Sequence, residues 1–237
     1  GAKKTSILPA GIIVQLLLTL VSLPFLIVLR RPAMVYTGDK FEKDRDHDFR
    51  MRFIYEELRK RQMPFVEFIR GIEPWQKVIN HFFVRMRPVV YTESVTFVAR
   101  LLSAVFPGTS TARKELLKES IKGRTPEERF KLLVSFQYMM NDEDVWAIKL
   151  MKPLIAAIGM KAAFIPAASE RSLHTVIGAK ENGIPTVGIM HGVQTRVYNP
   201  YDFLRGFKGE KRLNTDVYGV WSEWWHEYYL KNSHAYA

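Results

Sequence analysis

Hydrophobic positions along this chain fall into three kinds of stretch, and their order predicts the elements. Ile7 to Leu29 is mostly apolar, interrupted by Pro9, Gln15, Ser22 and Pro24. Six short apolar runs follow, each too short for a helix: Ala33–Thr37, Phe65–Ile69, Pro88–Glu93, Lys161–Pro166, Gly183–Met190 and Asp216–Trp221. Such runs read as buried strands of a parallel sheet. Between them the apolar residues recur at helical spacing. Phe49–Arg61 turns Phe53, Ile54 and Leu58 inward, and Trp75–Arg87 carries Val78, Ile79, Phe82 and Phe83. Further helices are predicted at Val95–Phe106 and Ser172–Asn182. Phe41–Arg52 is dense in both charges and reads as a solvated loop.

The middle departs from this alternation. From Thr111 to Ile158 the pattern is helical, broken at Gly123–Pro126 and near Asn141-Asp142. Thr125-Pro126-Glu127-Glu128 makes a good helix start, with a capping residue, a first-turn proline and acids at the positive dipole end. Strands alternating with helices imply a doubly wound parallel sheet. The predicted fold is α/β: a Rossmann-like sheet of about six strands, with a helical excursion at about 111–158 and an apolar N-terminal helix. Residues 1–32 form an apolar membrane-associating segment and residues 33–237 the Rossmann-like domain.

Composition narrows the chemistry. The 237 residues include no cysteine, which excludes disulfides and thiolate metal sites. The six histidines are scattered and no H-E-x-x-H occurs, so no metal site is predicted. G-x-G-x-x-G, the P-loop pattern and G-x-S-x-G are absent as well, which removes the main support for dinucleotide, P-loop and α/β-hydrolase readings. A formal net charge of +11 favours anionic partners. The cations lie along helices among acids rather than in a compact arm, so nucleic acid is disfavoured. Lys3-Lys4 and Arg30-Arg31 flank the apolar segment and suit an anionic membrane surface. Its length is compatible with an in-plane or shallow membrane-bound helix, which is the reading adopted, with a bilayer span, or with a buried packing helix.

In a sheet of this kind ligands bind at the carboxyl ends of the strands. The sequence places Gly38-Asp39, Glu93, Ser169-Glu170, His191-Gly192 and Glu223 there. His191 stands out, because imidazole can act as a base near neutrality and Gly192 permits close approach. The loop after it carries Gln194 and Arg196, an amide and a cation suited to sugar and phosphate. Trp221, Trp224, Trp225, Tyr228 and Tyr229 fall at i, i+3, i+4, i+7 and i+8 and make an aromatic helix face. Core packing or docking of a partner domain is its default role, with membrane-interface anchoring the alternative.

Asn182-Gly183-Ile184-Pro185-Thr186-Val187-Gly188-Ile189-Met190-His191-Gly192-Val193, a basic-aromatic loop, then Asp216-Val217-Tyr218-Gly219-Val220-Trp221-Ser222-Glu223-Trp224-Trp225, resembles bacterial surface-polysaccharide glycosyltransferases of the GT-B type. The resemblance covers roughly residues 160–233. Met190 stands where Gln is usual in that pattern, and Ser222 where Gly is common. The resemblance implies the acceptor-binding N-terminal domain of a two-domain enzyme, active in capsule or other surface-polysaccharide or glycolipid synthesis. His191 would then be the catalytic base toward a glycan or lipid-linked acceptor. A nucleotide-sugar would enter as donor substrate, and no bound cofactor or metal is implied. The donor domain would lie beyond Ala237, so this chain alone is expected to show no transferase activity. The placement implied is the cytoplasmic face of the membrane. The competing reading is a non-catalytic Rossmann-like module that docks a partner through its aromatic C-terminal helix.

Overall fold

The computed structural model describes residues 9–38, 48–70, 75–106, 110–129, 142–166, 172–190 and 214–232. Its centre is a six-stranded, wholly parallel sheet: β1 (Ala33–Thr37), β2 (Phe65–Ile69), β3 (Val89–Tyr91), β4 (Ala162–Ile165), β5 (Thr186–Ile189) and β6 (Val217–Gly219). The strand order is β3-β2-β1-β4-β5-β6. The chain is therefore an α/β protein with a Rossmann-like fold, and the strand order reverses between β1 and β4.

Period-2 alternation sorts the strand side chains onto two faces. Met34, Tyr36, Val66, Phe68 and Val90 point to one face, where α4 (Thr92–Val105), α6 (Asp142–Ile158) and α7 (Leu173–Lys180) bring Val95, Met151, Ile155, Ile158 and Val176 onto them. Ala33 and Val35 point to the other face, against Met51, Tyr55 and Leu58 of a 3-10 turn (Phe49–Met51) and α2 (Arg52–Lys60). Ile69, Val89 and Tyr91 meet Val78 of α3 (Trp75–Arg85). Glu67 is buried in the middle of β2, and the Tyr55 hydroxyl donates to its Oε1 at 2.6 Å.

Several expectations are refined by this packing. Phe53 is exposed, and Tyr55 takes the inward position expected of it, because Tyr55 shares a helical face with Met51, Ile54 and Leu58 and Phe53 does not. Phe83 is likewise exposed. The stretch 111–158 is helical where it is described, broken near Gly123, as expected. Its first part contains α5 (Ser110–Ser120), and the Thr125 cap forms as expected, with Thr125 N–H donating to Glu128 Oε2 at 2.9 Å and Glu128 N–H to Thr125 Oγ1 at 3.3 Å. Its last part, α6, belongs to the layer on the sheet and lies between α4 and α7.

The N-terminal segment forms α1 (Pro9–Leu29), which lies along the free edge of β3. Thr19 Oγ1 accepts from the Tyr91 N–H at 3.0 Å and Ser22 Oγ from the Val89 N–H at 3.4 Å. Ascending residues of α1 meet descending residues of β3, so the two run antiparallel. The N-terminal end of α1 therefore lies toward the carboxyl edge of the sheet. Edge donors that would otherwise be open for pairing are covered by a helix.

Candidate functional site

Of the residues nominated from sequence, Gly38, Glu93 and Glu223 are described, and they lie just past the carboxyl ends of β1, β3 and β6. Gly38 follows β1. Its N–H donates to Asp48 Oδ2 at 3.0 Å, and the Thr37 hydroxyl reaches the same oxygen at 3.3 Å. Arg50 N–H donates to Asp48 Oδ1 at 3.0 Å and its Nε to the same atom at 2.9 Å, while Nη2 pairs with Oδ2. The guanidinium passes directly over Gly38, since a Cβ there would lie 2.3 Å from Nη2. Asp48 is fully buried. Burial pushes its carboxyl up, but the hydrogen bonds and charge of Arg50, with the Gly38 amide, outweigh it and hold the group below its ordinary range.

Glu93 lies in the first turn of α4, not on β3, because the helix starts at Thr92, earlier than the apolar pattern placed it. Arg70, just past β2, approaches its Oε1 at 3.7 Å. Burial pushes the Glu93 carboxyl above its ordinary range; Arg100 and His174 oppose this and Glu143 adds to it. Arg100 holds Glu143 through Nε at 3.0 Å and Nη2 at 3.1 Å. His174 Nε2 lies 2.7 Å from Asp144 Oδ1. Each helix here enters or leaves its strand so that its N-terminus is at the carboxyl edge, and α4, α6 and α7 thereby bring Glu93, Glu143, Asp144 and His174 into one titratable cluster. Sequence reasoning missed Asp144 and His174. The available signal was His174 in the first turn of the helix after β4, a histidine at a strand's carboxyl end.

Glu223, at the start of α8 (Glu223–Asn232), is separate from that cluster. Its side chain is exposed and pairs with His226 Nδ1 at 2.9 Å. β6 and β3 are five strand spacings apart, about 24 Å, so Glu93 and Glu223 cannot hold one small ligand together.

At β5 the geometry is set by a close approach. A Cβ on Gly188 would lie 2.5 Å from Thr215 Oγ1 and from Tyr218 Cδ2, so only glycine lets β6 and its aromatic ring lie this near. Beyond it Met190 is buried with Tyr229, its N–H donating to Gly219 O at 2.9 Å. Trp221 Nε1 donates to the Met190 carbonyl at 2.7 Å, while 55% of that residue remains exposed. The aromatic set around α8 is thus divided, with Trp221 just ahead of the helix. Tyr229 serves the core as expected, whereas Trp221 and Trp224 are exposed, and Trp224 stacks on Tyr228 at 5.5 Å.

Asp39, Ser169, Glu170, His191, Gly192, Gln194 and Arg196 lie outside the described residues. Among the described residues no group of three or more His, Asp or Glu side chains could hold a metal ion. Comparison of the chain with models of known protein families, with curated proteins and with solved structures finds no match in any of the three.

Proposed function

We propose that this chain is the acceptor-binding half of a GT-B-type glycosyltransferase of surface-polysaccharide or glycolipid synthesis, with His191 as its base. The observation that carries this reading is the position of β5. It is an interior strand of a parallel sheet that ends at Ile189, and Met190, the residue immediately before His191, is fixed at the carboxyl edge by Gly219 and Trp221. That is the edge at which such sheets bind ligands. Trp221 adds an aromatic surface of fixed orientation beside it, suited to the apolar side of a sugar ring. In the reaction His191 takes the proton of the acceptor hydroxyl as that oxygen bonds to the anomeric carbon, and the nucleoside diphosphate leaves with the electron pair of the broken bond. The test is His191→Ala in the protein that includes the donor domain. Turnover should fall by about 10²- to 10⁴-fold, with acceptor binding and thermal unfolding kept. Unchanged turnover removes the base from the reading.

A second reading, a binding module without catalysis, is supported by Trp224, which is exposed and stacked on Tyr228. Under it, Trp224→Ala abolishes capture of a partner domain while His191→Ala does nothing.

A further inference from the structure

A helix on the surface of a soluble domain turns its apolar side in and its polar side out. In α1 the apolar residues occupy both sides: Leu26 is buried in the core and Val14 and Leu18 pack against it, yet an apolar face also points outward. Gln15, Thr19 and Ser22, at i, i+4 and i+7, are buried against the sheet edge. Ile13, Leu17, Val21, Phe25 and Val28 follow the same period on the opposite side and are 44–80% exposed. Only 22% of the apolar stretch is buried. Its Thr19 and Ser22 hydroxyls accept hydrogen bonds from the β3 backbone. The outer face spans about 30 Å of helix without one charged residue between Ala10 and Leu29. It continues at the amino edge onto Phe83 and Val84 of α3 and Val105 and Phe106 at the end of α4, all exposed. An apolar patch of this extent marks an interaction surface.

We propose that α1 docks the domain onto an anionic lipid bilayer, lying in the plane of one leaflet with its outer face in the acyl boundary. Lipid is favoured over a protein occupant because the outer face of α1 offers no polar group for a partner's hydrogen bonds. The charges that accompany it are cationic: Arg30 and Arg31 follow its end, and the chain carries +11 overall. The in-plane orientation follows from the fastening of α1 along β3. A span would carry α3, with exposed Gln76, Lys77 and Asn80, into hydrocarbon. The inference rests on α1 and its neighbours alone and stands whether or not the chain transfers a sugar.

The test uses the whole chain with vesicles of phosphatidylglycerol and phosphatidylethanolamine. The chain floats with them, and binds neutral phosphatidylcholine vesicles more weakly. A variant combining Leu17→Gln, Val21→Gln, Phe25→Gln and Val28→Gln changes only exposed positions. It keeps the circular dichroism and unfolding midpoint of the parent and loses at least tenfold in vesicle affinity. Because the sequence has no cysteine, single cysteines placed at Ile13, Leu17, Val21 and Val28 can each carry a polarity-sensitive fluorophore. All four should report the same shallow depth. Undiminished flotation of the fourfold variant overturns the proposal. So does a depth profile peaking at Val21, which means a span, or a dimer that shields the four fluorophores without lipid, which means a second copy is the occupant. Vesicle binding by this chain, with no sugar transfer by the protein that includes the donor domain, would count against the glycosyltransferase reading only.

Discussion

Asp48 shows how much a single buried charge can organise in this chain. It accepts from the Gly38 and Arg50 amides and from the Arg50 side chain, and so ties the end of β1 to the start of the 3-10 turn. Its folded pKa lies below the ordinary value of 3.8. Its contribution to stability is therefore complete above that value and is lost as the pH falls toward the depressed folded pKa. Asp48→Asn should cost about 2 kcal/mol at pH 7, measured by urea denaturation. It should also flatten the fall in stability between pH 5 and pH 2, and an unchanged acid slope would show that another carboxylate governs it. From sequence Asp48 was one charge in a run read as solvated. The pattern does not separate a buried ion pair from an exposed one, because the partner that makes burial tolerable is identified by contact and not by spacing. Glu93 was legible as a carboxyl-edge residue, since the strand before it was plain. His174 was not, as its meaning depends on Asp144, thirty residues away on another helix.

Elements were read more securely than residues. All six strands lie inside the apolar runs that predicted them, because strands of a parallel sheet covered by helices leave few polar interruptions, and even the exposed edge strand β6 keeps that pattern. Helix starts were less clear. α4 begins on Thr92, inside the run assigned to β3, and Ser94 bonds back to the Tyr91 carbonyl at 2.6 Å to hold that sharp turn. The apolar pattern of α1 was plain, yet Gln15 and Ser22 looked like mere interruptions of it. They face the protein, beside Val14, Leu18 and Leu26. Thr19→Val keeps the shape of the side chain and removes the oxygen that accepts from the Tyr91 N–H, leaving a buried donor unpaired. It should destabilise the fold by about 1–3 kcal/mol, while Thr19→Ser should keep most of the stability. Leu17→Gln, on the exposed side, should change it by less than about 0.5 kcal/mol. Equal losses for Thr19→Val and Leu17→Gln in chemical denaturation would mean that α1 is not fastened to β3 through its hydroxyls.

For the molecule as a whole, the strand order joins the two proposals in one geometry. The order could not be read from alternation alone, because a run of strands and helices does not say where the chain crosses β1. The long connection from β3 to β4 makes that crossing and puts β3 at the outer edge, beneath α1. If α1 lies in the plane of a leaflet, the strands run parallel to the bilayer and the sheet stands on its β3 edge. β5 is then four strand spacings above β3, about 19 Å, and the acceptor site proposed beside it opens sideways above the headgroups. An acceptor anchored in the same bilayer would have to extend a glycan of that height to reach it. The orientation can be measured without any substrate. Val84 on α3 and Val217 on β6 are both exposed, at opposite ends of the sheet. With a donor fluorophore on Val84→Cys or Val217→Cys and acceptor dyes in the headgroup layer, transfer should be strong from position 84 and weak from position 217. The two differ by about five strand spacings, or 24 Å, a difference well within the range of the method. Equal transfer would mean that the sheet lies flat on the surface, and stronger transfer from position 217 would place the aromatic helix α8, not α1, against the lipid.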